Sequence, residues 1–305
     1  MLGRNGSAGF SVRQRWKIIR RAMRMELREH KVSFAVYVIL RVLVIAMAIL
    51  QFFNGDYENV FLCVLTLLLL LAPAFLQLQL RIELPSVLEV IMLVFVFSAE
   101  ILGEISAFYE LFPFWDTVLH TLNGFLAAAI GFSLVDLLNR SDATKFELSP
   151  AYLALVSFCF SMTIGVVWEF FEFAMDLVFG LDMQKDTVVH SISSVMLDPS
   201  HGNRIVSIPD ITQVSVNGGD LGLGGYLDIG LIDTMEDLVV NFIGALVFSI
   251  IGFLYVKNRG GKDAIVDSLV PRRKTAAQDY LRVLIEQADK MTASSAGDGE
   301  RGRDR

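Results

Sequence analysis

The chain has 305 residues, of which 54% are hydrophobic, with a mean hydropathy of +0.54 and a formal net charge of −7. This composition excludes an ordinary soluble globular domain, and the acidic balance gives no support to nucleic-acid binding. The two cysteines, Cys63 and Cys159, both fall in apolar stretches, which argues against a disulfide framework or a cysteine-rich metal site.

Six apolar stretches are each about 20 residues or longer, enough to cross the ~30 Å hydrocarbon core of a bilayer as a helix. None shows the polar–apolar alternation expected of a membrane β-barrel strand. The sequence therefore predicts an all-α, polytopic membrane bundle of about six helices. We number the stretches spans 1 to 6, and they cover roughly residues 33–53, 58–80, 86–108, 115–138, 151–179 and 234–256.

The basic residues predict which ends of the spans face the cytoplasm. With the N-terminus inside, 23 of the 26 Lys and Arg residues fall in cytoplasmic segments, among them nine before span 1, the pair Arg140 and Lys145, and eleven from Lys257 onward. The positive-inside rule therefore favours both termini in the cytoplasm. The residues before span 1 do not form a compact signal sequence, so we expect no cleaved leader.

The bundle divides the chain into three parts. Residues 1–32 form a basic juxtamembrane segment, whose mixture of basic and apolar side chains favours a helix on anionic lipid. Residues 33–257 form the transmembrane domain. Residues 258–305 combine an amphipathic helix around "QDYLRVLIEQADKM" with a Ser-, Gly- and Asp-containing tail typical of disorder.

The long extracytoplasmic loop between spans 5 and 6, residues 181–232, exceeds the length of a simple connector. Its alternating stretch "ITQVSV" is followed by Asn217-Gly218, which predicts a small β-hairpin. The stretch "GLDMQKDT" contributes Asp186, and we expect this stretch to fold over the outer mouth of the bundle.

Polar side chains recur at helical spacing near one end of four spans. In the predicted orientation all of them lie in the outer third of the membrane, because odd spans run outward and even spans run inward. Burying several carboxylates together is unfavourable unless protons, a metal ion or a cationic ligand compensates their charge. The residues are Glu100 and Glu104 in span 3, Asp116 and His120 in span 4, Glu169, Glu172 and Asp176 in span 5, and Asp233, Asp237 and Asn241 in span 6.

A bound divalent cation is one solution to this excess of negative charge. An oxygen-rich site with one imidazole suits Mg²⁺, Mn²⁺ or Ca²⁺, and it admits Zn²⁺ or iron through the histidine. Proton sharing, a cationic substrate and a purely structural polar network remain as alternatives. The candidate metal ligands are Glu169, Glu172, Asp237 and His120.

Four stretches, "FWDTVLH", "VVWEFFEFAMD", "GLDMQKDT" and "GLIDTMEDLVVNFIGA", resemble the uncharacterised bacterial inner-membrane family typified by YjdF, over about residues 85–257. This resemblance implies a multi-pass protein of the bacterial cytoplasmic membrane.

A more distant similarity is to the VanZ-like membrane proteins, which are associated with glycopeptide resistance. It rests on an acid followed by His in span 4, on the acids late in span 5, and on the pattern D-x-x-x-N-x-x-G-A that begins at Asp237. The similarity implies a shared helical core but supplies no reaction. The insertion at about 186–230, the acids of span 3 and Glu172 depart from the VanZ-like pattern. The residues carried over as site candidates are Asp116, His120, Glu169, Glu172, Asp237 and Asn241.

Three functions are compatible with these residues. The first is a metal-dependent hydrolase or transferase acting at the outer leaflet on a lipid-linked or envelope substrate. The second is a proton- or cation-coupled transporter, and the third is a non-catalytic envelope factor whose long loop binds a partner. The predicted partners are the lipid bilayer and a lipid-linked or envelope small molecule, and no nucleic acid is expected. The sequence leaves the oligomeric state open.

The first function assigns each candidate residue a role. His120 serves as general acid or base with Asp116 as its orienting partner, while the acids of spans 5 and 6 surround the cation. The catalytic candidates are therefore His120, Asp116, Glu169, Glu172 and Asp237. The candidate substrate contacts are Glu100, Glu104, Trp168, Asn241 and Asp186.

Overall fold

The computed structural model describes residues 11–139, 148–258 and 268–301. The terminal residues 1–10 and 302–305 and the basic residues Arg140, Lys145, Arg259 and Lys262, which contribute to the predicted orientation, lie outside these ranges. Within them, six helices are long and apolar enough to span a membrane, which confirms the predicted all-α polytopic bundle. These spans are Lys31–Asn54, Tyr57–Leu80, Ser86–Ile105, Trp115–Asp136, Pro150–Phe179 and Leu231–Lys257.

The spans are preceded, connected and followed by shorter elements. Helix α1 (Val12–Glu26) precedes span 1, which is α2 (Lys31–Asn54). The short helix α6 (Phe108–Leu111) lies between spans 3 and 4. Spans 4, 5 and 6 are α7 (Trp115–Asn139), α8 (Pro150–Phe179) and α9 (Leu231–Lys257), and helix α10 (Tyr280–Arg301) follows the bundle.

Spans 2 and 3 depart from a regular α-helix. Span 2 consists of α3 (Tyr57–Leu69) and α4 (Ala72–Leu80), and the interruption falls just before Pro73. Proline lacks the backbone N–H and clashes with the preceding turn, which accounts for a break at this place. Span 3 begins as α5 (Ser86–Phe97) and ends as a π-helical segment, Ser98–Ile105, instead of continuing to residue 108 as an α-helix.

Two apolar clusters hold the spans together. One joins α7, α8 and α9 to the inner end of α5, and its largest fully buried side chains are Phe132 and Phe248, whose ring centroids lie 6.1 Å apart. The other joins α2, α3 and α5 around Val44 and Leu70, both fully buried. The three-helix group α7–α8–α9 carries most of the predicted site residues.

The long loop between α8 and α9 contains three small antiparallel sheets. Strand β2 (Thr187–Val189) pairs with β7 (Tyr226–Asp228), β3 (Ile192–Ser194) pairs with β4 (Val206–Ile208), and β5 (Ser215–Val216) pairs with β6 (Gly219–Asp220). Asn217 and Gly218 join β5 to β6 with φ values of 52° and 82°. A two-residue turn with positive φ at both positions matches the twist of a hairpin and favours Asn-Gly.

The opposite end of the bundle carries both terminal helices. Strand β1 (Ile82–Glu83), which follows α4, pairs with β8 (Arg272–Arg273), and α1 packs against α10 through the buried residues Ala22 and Leu284. The Lys274 Nζ atom lies 2.5 Å from Glu26 Oε2, and both side chains are almost fully buried. Burial raises the pKa of Glu26, and the hydrogen bond from Lys274 opposes that rise.

The end of the chain differs from the sequence-based expectation. We predicted a disordered tail after Met291, yet α10 continues to Arg301. Adding residues to a helix that is already nucleated is far easier than starting one, so a polar sequence can extend an existing helix.

Candidate functional site

The first turns of α7 place an acid and an imidazole on one face. Asp116 and His120 are one turn apart, and the His120 Nε2 atom lies 3.5 Å from Asp116 Oδ1. His120 is 8% exposed, whereas the Asp116 side chain retains 32% of its exposure. The Trp115 indole donates a hydrogen bond of 3.3 Å to the Ser98 carbonyl, which fixes the start of α7 against the π-helical segment.

Helix α8 contributes two buried carboxylates. Glu169 is 4% exposed and Glu172 is 7% exposed. One oxygen of Glu169, Oε1, lies 3.9 Å from His120 Nδ1, while its buried Oε2 atom has no hydrogen-bond partner. The Trp168 indole donates a 2.7 Å hydrogen bond to Glu172 Oε1. Trp168 therefore holds the Glu172 carboxylate, one turn away on the same helix.

Helix α9 completes the cluster with Asp237, which is 4% exposed. Its Oδ2 atom lies 3.6 Å from His120 Nε2. His120 thus has a carboxylate from each of α7, α8 and α9 within 4 Å. We call the five residues Asp116, His120, Glu169, Glu172 and Asp237 the outer acidic site.

Two sets of side chains in the outer acidic site have the spacing of metal ligands. One set is Asp116, His120 and Asp237, and the other is Glu169, Glu172 and Asp237. Within each set, one ligand atom from every residue lies within 4.8 Å of the others. Asp237 belongs to both sets, so the two lie side by side and share a carboxylate.

The outer acidic site carries a marked excess of negative charge. In the described part of the chain, no Lys or Arg side chain pairs with its four carboxylates. The negative charge also acts on Tyr109, which lies between spans 3 and 4. Burial raises the pKa of Tyr109, and the neighbouring Asp116 and Glu104 carboxylates raise it further. Shared protons, a bound cation or a cationic ligand would each compensate this charge.

Close contacts between helix backbones hold the three helices in register. A Cβ atom on Gly124 would lie 2.1 Å from the Asn241 carbonyl oxygen, and one on Gly244 would lie 1.9 Å from the Thr121 carbonyl oxygen. Small residues at such crossings let membrane helices approach closely. The buried Ser161 hydroxyl adds a 2.7 Å hydrogen bond from α8 to the Gly124 carbonyl of α7.

Asn241, predicted as a substrate contact, is 1% exposed, and its amide is engaged between helices. It accepts a 3.3 Å hydrogen bond from Asn123 and donates to the Met162 sulfur at 3.6 Å. Gly165 provides the space for this amide, since a Cβ there would lie 2.6 Å from the Asn241 nitrogen. Asn241 therefore connects α7, α8 and α9 one turn deeper than Asp237.

The other predicted contacts lie around the outer acidic site and belong to neither metal-ligand set. Glu100 is half-buried and Glu104 is exposed, both on the π-helical segment. Trp168 is 43% exposed, and Asp186 is exposed in the loop.

The stretch that follows α8 is tied to the outer ends of two helices. The backbone N–H groups of Met183 and Gln184 donate to the Asp176 carboxylate at 2.7 and 2.9 Å. The Lys185 N–H donates to Asp233 of α9 at 2.9 Å. Asp176 and Asp233 therefore fasten the loop through backbone donors, and neither belongs to a metal-ligand set.

The sequence analysis missed Gly124, Gly165 and Ser161, which lie at the contacts between the helices, and it named Gly244 only as part of the D-x-x-x-N-x-x-G-A pattern, without a packing role.

Comparison with known proteins supports a membrane assignment. Searches of curated proteins and of solved structures find no match. A family model described as a predicted membrane protein, DUF2238, matches residues 35–258. The match covers well over half of the chain and includes all six spans almost completely. The chain is therefore a multi-pass membrane protein that belongs to the DUF2238 family.

Proposed function

We propose that the protein is a metal-dependent hydrolase or transferase. It would act on a lipid-linked or envelope substrate at the outer face of the membrane that the bundle spans. The observation that carries this proposal is the convergence of four carboxylates and one imidazole from three spans, without a compensating Lys or Arg side chain in the described ranges. A divalent cation would offset part of this charge and satisfy the buried Glu169 oxygen that has no hydrogen-bond partner.

The interatomic distances support metal coordination. Ligands 2.0–2.2 Å from a tetrahedral ion are about 3.3–3.6 Å apart. The His120 Nε2 atom lies 3.5 Å from Asp116 and 3.6 Å from Asp237, close to the edges of such a tetrahedron. The second set, Glu169, Glu172 and Asp237, is all oxygen, which suits Mg²⁺, Mn²⁺ or Ca²⁺.

The position of the cation decides the role of His120. With the cation among Glu169, Glu172 and Asp237, the imidazole is free to move a proton, and Asp116 orients its Nε2 atom. With the cation at the first set, Nε2 would be a ligand, and Glu169, 3.9 Å from Nδ1, would be the carboxylate that supports the imidazole. In either arrangement the cation would polarise the substrate or lower the pKa of a bound water.

The surface of α8 supports a lipid-linked substrate. Trp168, Phe170, Phe171 and Phe173 are all at least 43% exposed, and they flank the buried Glu169 and Glu172 on the same turns. An acyl chain in the bilayer can therefore approach the outer acidic site from the side. The resemblance of four stretches to the YjdF-like family would imply the bacterial cytoplasmic membrane, and the distribution of Lys and Arg residues would put this end outside.

Metal analysis of the purified chain tests the proposal. The full chain in detergent is loaded with Mn²⁺ or Zn²⁺, dialysed, and its metal content is measured. We expect Glu169→Gln and Asp237→Asn to lower the affinity at least tenfold, by analogy with the loss that supporting residues alone produce. Glu236→Gln removes an exposed acid from the same turn of α9 and should bind as the wild type does. Wild-type protein without bound metal, or site variants that match Glu236→Gln, would refute it.

A second candidate function is proton- or cation-coupled transport. It is favoured by two buried carboxylate oxygens without hydrogen-bond partners, Glu169 Oε2 toward the outer end and Glu89 Oε2 toward the inner end. Each could carry a proton. Flux of protons or cations into liposomes that His120→Ala abolishes would support transport over hydrolysis, and absence of flux beside an active control transporter would exclude it.

A further inference from the structure

A second site lies at the opposite end of the bundle, between α1 and α10. A shallow cavity of about 680 Å³, largely open to solvent, is lined by five basic side chains together with Met25 and Tyr280. The basic residues are Lys17, Arg20, Arg21, Arg24 and Arg28. We propose that this cavity binds the phosphate-bearing headgroup of an anionic phospholipid.

The shape of α1 creates the basic wall of the cavity. At about 100° per residue, Lys17, Arg20, Arg21 and Arg24 fall within an arc of roughly 100°. The buried residues Ala22 and Glu26 lie on the opposite side and hold the helix against the rest of the protein. The basic side chains therefore lie on one exposed face of α1, and the packing of the opposite face keeps that face toward the cavity.

The charge of the cavity is not neutralised from within. In the described ranges, none of its five basic side chains forms an ion pair with an acidic side chain. Two acids of α1 have other partners: Glu26 pairs with Lys274, and Glu29 accepts a hydrogen bond from the hydroxyl of Tyr280 at the cavity wall. An anion that enters the cavity would meet cations with free hydrogen-bonding capacity.

The chemistry of these side chains favours a phosphate. Four of the five are arginines, whose planar guanidinium groups bind phosphate oxygens through paired hydrogen bonds. Several arginines around one phosphate also provide the multiple donors that its oxygens require. Met25 and the Tyr280 ring supply apolar walls beside them, suitable for the glycerol part of a headgroup.

The position of the cavity favours a lipid over a free phosphate compound. Helix α1 ends at Glu26, and the first span begins at Lys31, so α1 lies at the membrane surface. Trp16 on α1 is 68% exposed, and on a helical projection it lies beside the basic arc. An exposed tryptophan next to basic residues is typical of a helix in the interfacial layer of a bilayer.

Native mass spectrometry of the full chain, released from detergent, tests the proposal. Phosphatidylglycerol or phosphatidylcholine is titrated in, and the fraction of protein that retains lipid is measured. We expect the wild type to retain phosphatidylglycerol in preference. The triple variant Arg20→Gln, Arg21→Gln and Arg24→Gln should bind it roughly tenfold more weakly or worse, since each basic residue near a membrane surface contributes several-fold to anionic-lipid affinity.

The matched control removes the same charge outside the cavity, through Lys31→Gln, Arg273→Gln and Lys290→Gln, all at exposed positions. It should retain phosphatidylglycerol nearly as the wild type does. Arg24→Gln alone, a single change at an exposed position, should weaken binding a few-fold. Equal losses in the two triple variants, or equal retention of the two lipids by the wild type, would overturn the proposal. Displacement of phosphatidylglycerol by an equal concentration of inorganic phosphate would overturn the lipid assignment.

Discussion

One methyl group added at Gly244 should disturb the outer acidic site from about 10 Å away, because Gly244 lies seven residues beyond Asp237 on α9. The added Cβ would lie 1.9 Å from the Thr121 carbonyl oxygen, whereas ordinary van der Waals contact begins at 3.4 Å. This contact is with the backbone of α7, so α7 and α9 must separate by about 1.5 Å. Thr121 follows His120 directly, and the displacement therefore falls on the turn that carries the imidazole.

This separation has two measurable consequences. Overpacking of a close interface costs about 1–3 kcal/mol, which should lower the unfolding temperature of Gly244→Ala. Metal–ligand distances tolerate errors of only about 0.2 Å, so a shift of this size between His120 and Asp237 should lower divalent-cation affinity at least tenfold. Thermal unfolding in detergent and equilibrium dialysis with Mn²⁺ measure the two effects separately.

Ser249→Ala is the control on the same helix. The Ser249 hydroxyl is buried without a hydrogen-bond partner, so its removal should leave stability and cation binding unchanged. If Gly244→Ala unfolds at the same temperature as Ser249→Ala, the backbone contact does not determine the spacing of α7 and α9. If stability falls while cation affinity stays the same, the contact does not position the outer acidic site.

Three further changes test other parts of the fold. Ser161→Ala removes the 2.7 Å hydrogen bond to the Gly124 carbonyl and should cost about 1 kcal/mol in thermal unfolding, and an unchanged unfolding temperature would contradict its role between α7 and α8. Hydrogen bonds, chiefly from the Ser200 hydroxyl and backbone N–H groups, hold the pKa of Asp198 below its usual value near 4. The ionised Asp198 therefore stabilises the outer loop above about pH 4, and this stabilisation is lost as the pH falls through the lowered pKa. Pepsin cleavage within 195–205 should rise on acidification in the wild type but be constant in Asp198→Asn. If cleavage depends on pH in the same way in both proteins, ionisation of Asp198 does not stabilise the loop. Lys274→Met leaves Glu26 buried without its cation and should lower the free energy of unfolding by about 3–5 kcal/mol. The added change Glu26→Leu should restore most of this loss. Additive losses in the double variant would argue against a coupled pair.

Hydropathy and spacing were sufficient to predict the spans and the candidates on α7, α8 and α9. The length of an apolar stretch is set by bilayer thickness, and i, i+4 spacing brings Asp116 and His120 together in any α-helix. The same reasoning treated span 3 as α-helical throughout. The π-helical segment has i→i+5 hydrogen bonds, and it leaves Glu104 exposed and outside both metal-ligand sets.

Contacts between helices could not be predicted in the same way. Asn241 has the depth and spacing of a site residue, yet its amide is engaged by Asn123 and Met162 on two other helices. Gly244 has no side chain, and only its approach to Thr121 reveals its importance. Such pairings depend on which faces meet across a distance in sequence, and a single chain does not encode them as a periodic pattern.

The pairing of β2 with β7 makes the outer loop a self-contained insertion. Thr187 and Asp228 are paired Cα positions, so the chain leaves the membrane surface and returns to it at nearly the same point. The residues between Val189 and Tyr226 can therefore lengthen, shorten or change in sequence without moving the ends of α8 and α9. Changes in this part of the loop therefore need not displace the buried acids. Relatives could acquire different outer surfaces while keeping the same membrane core.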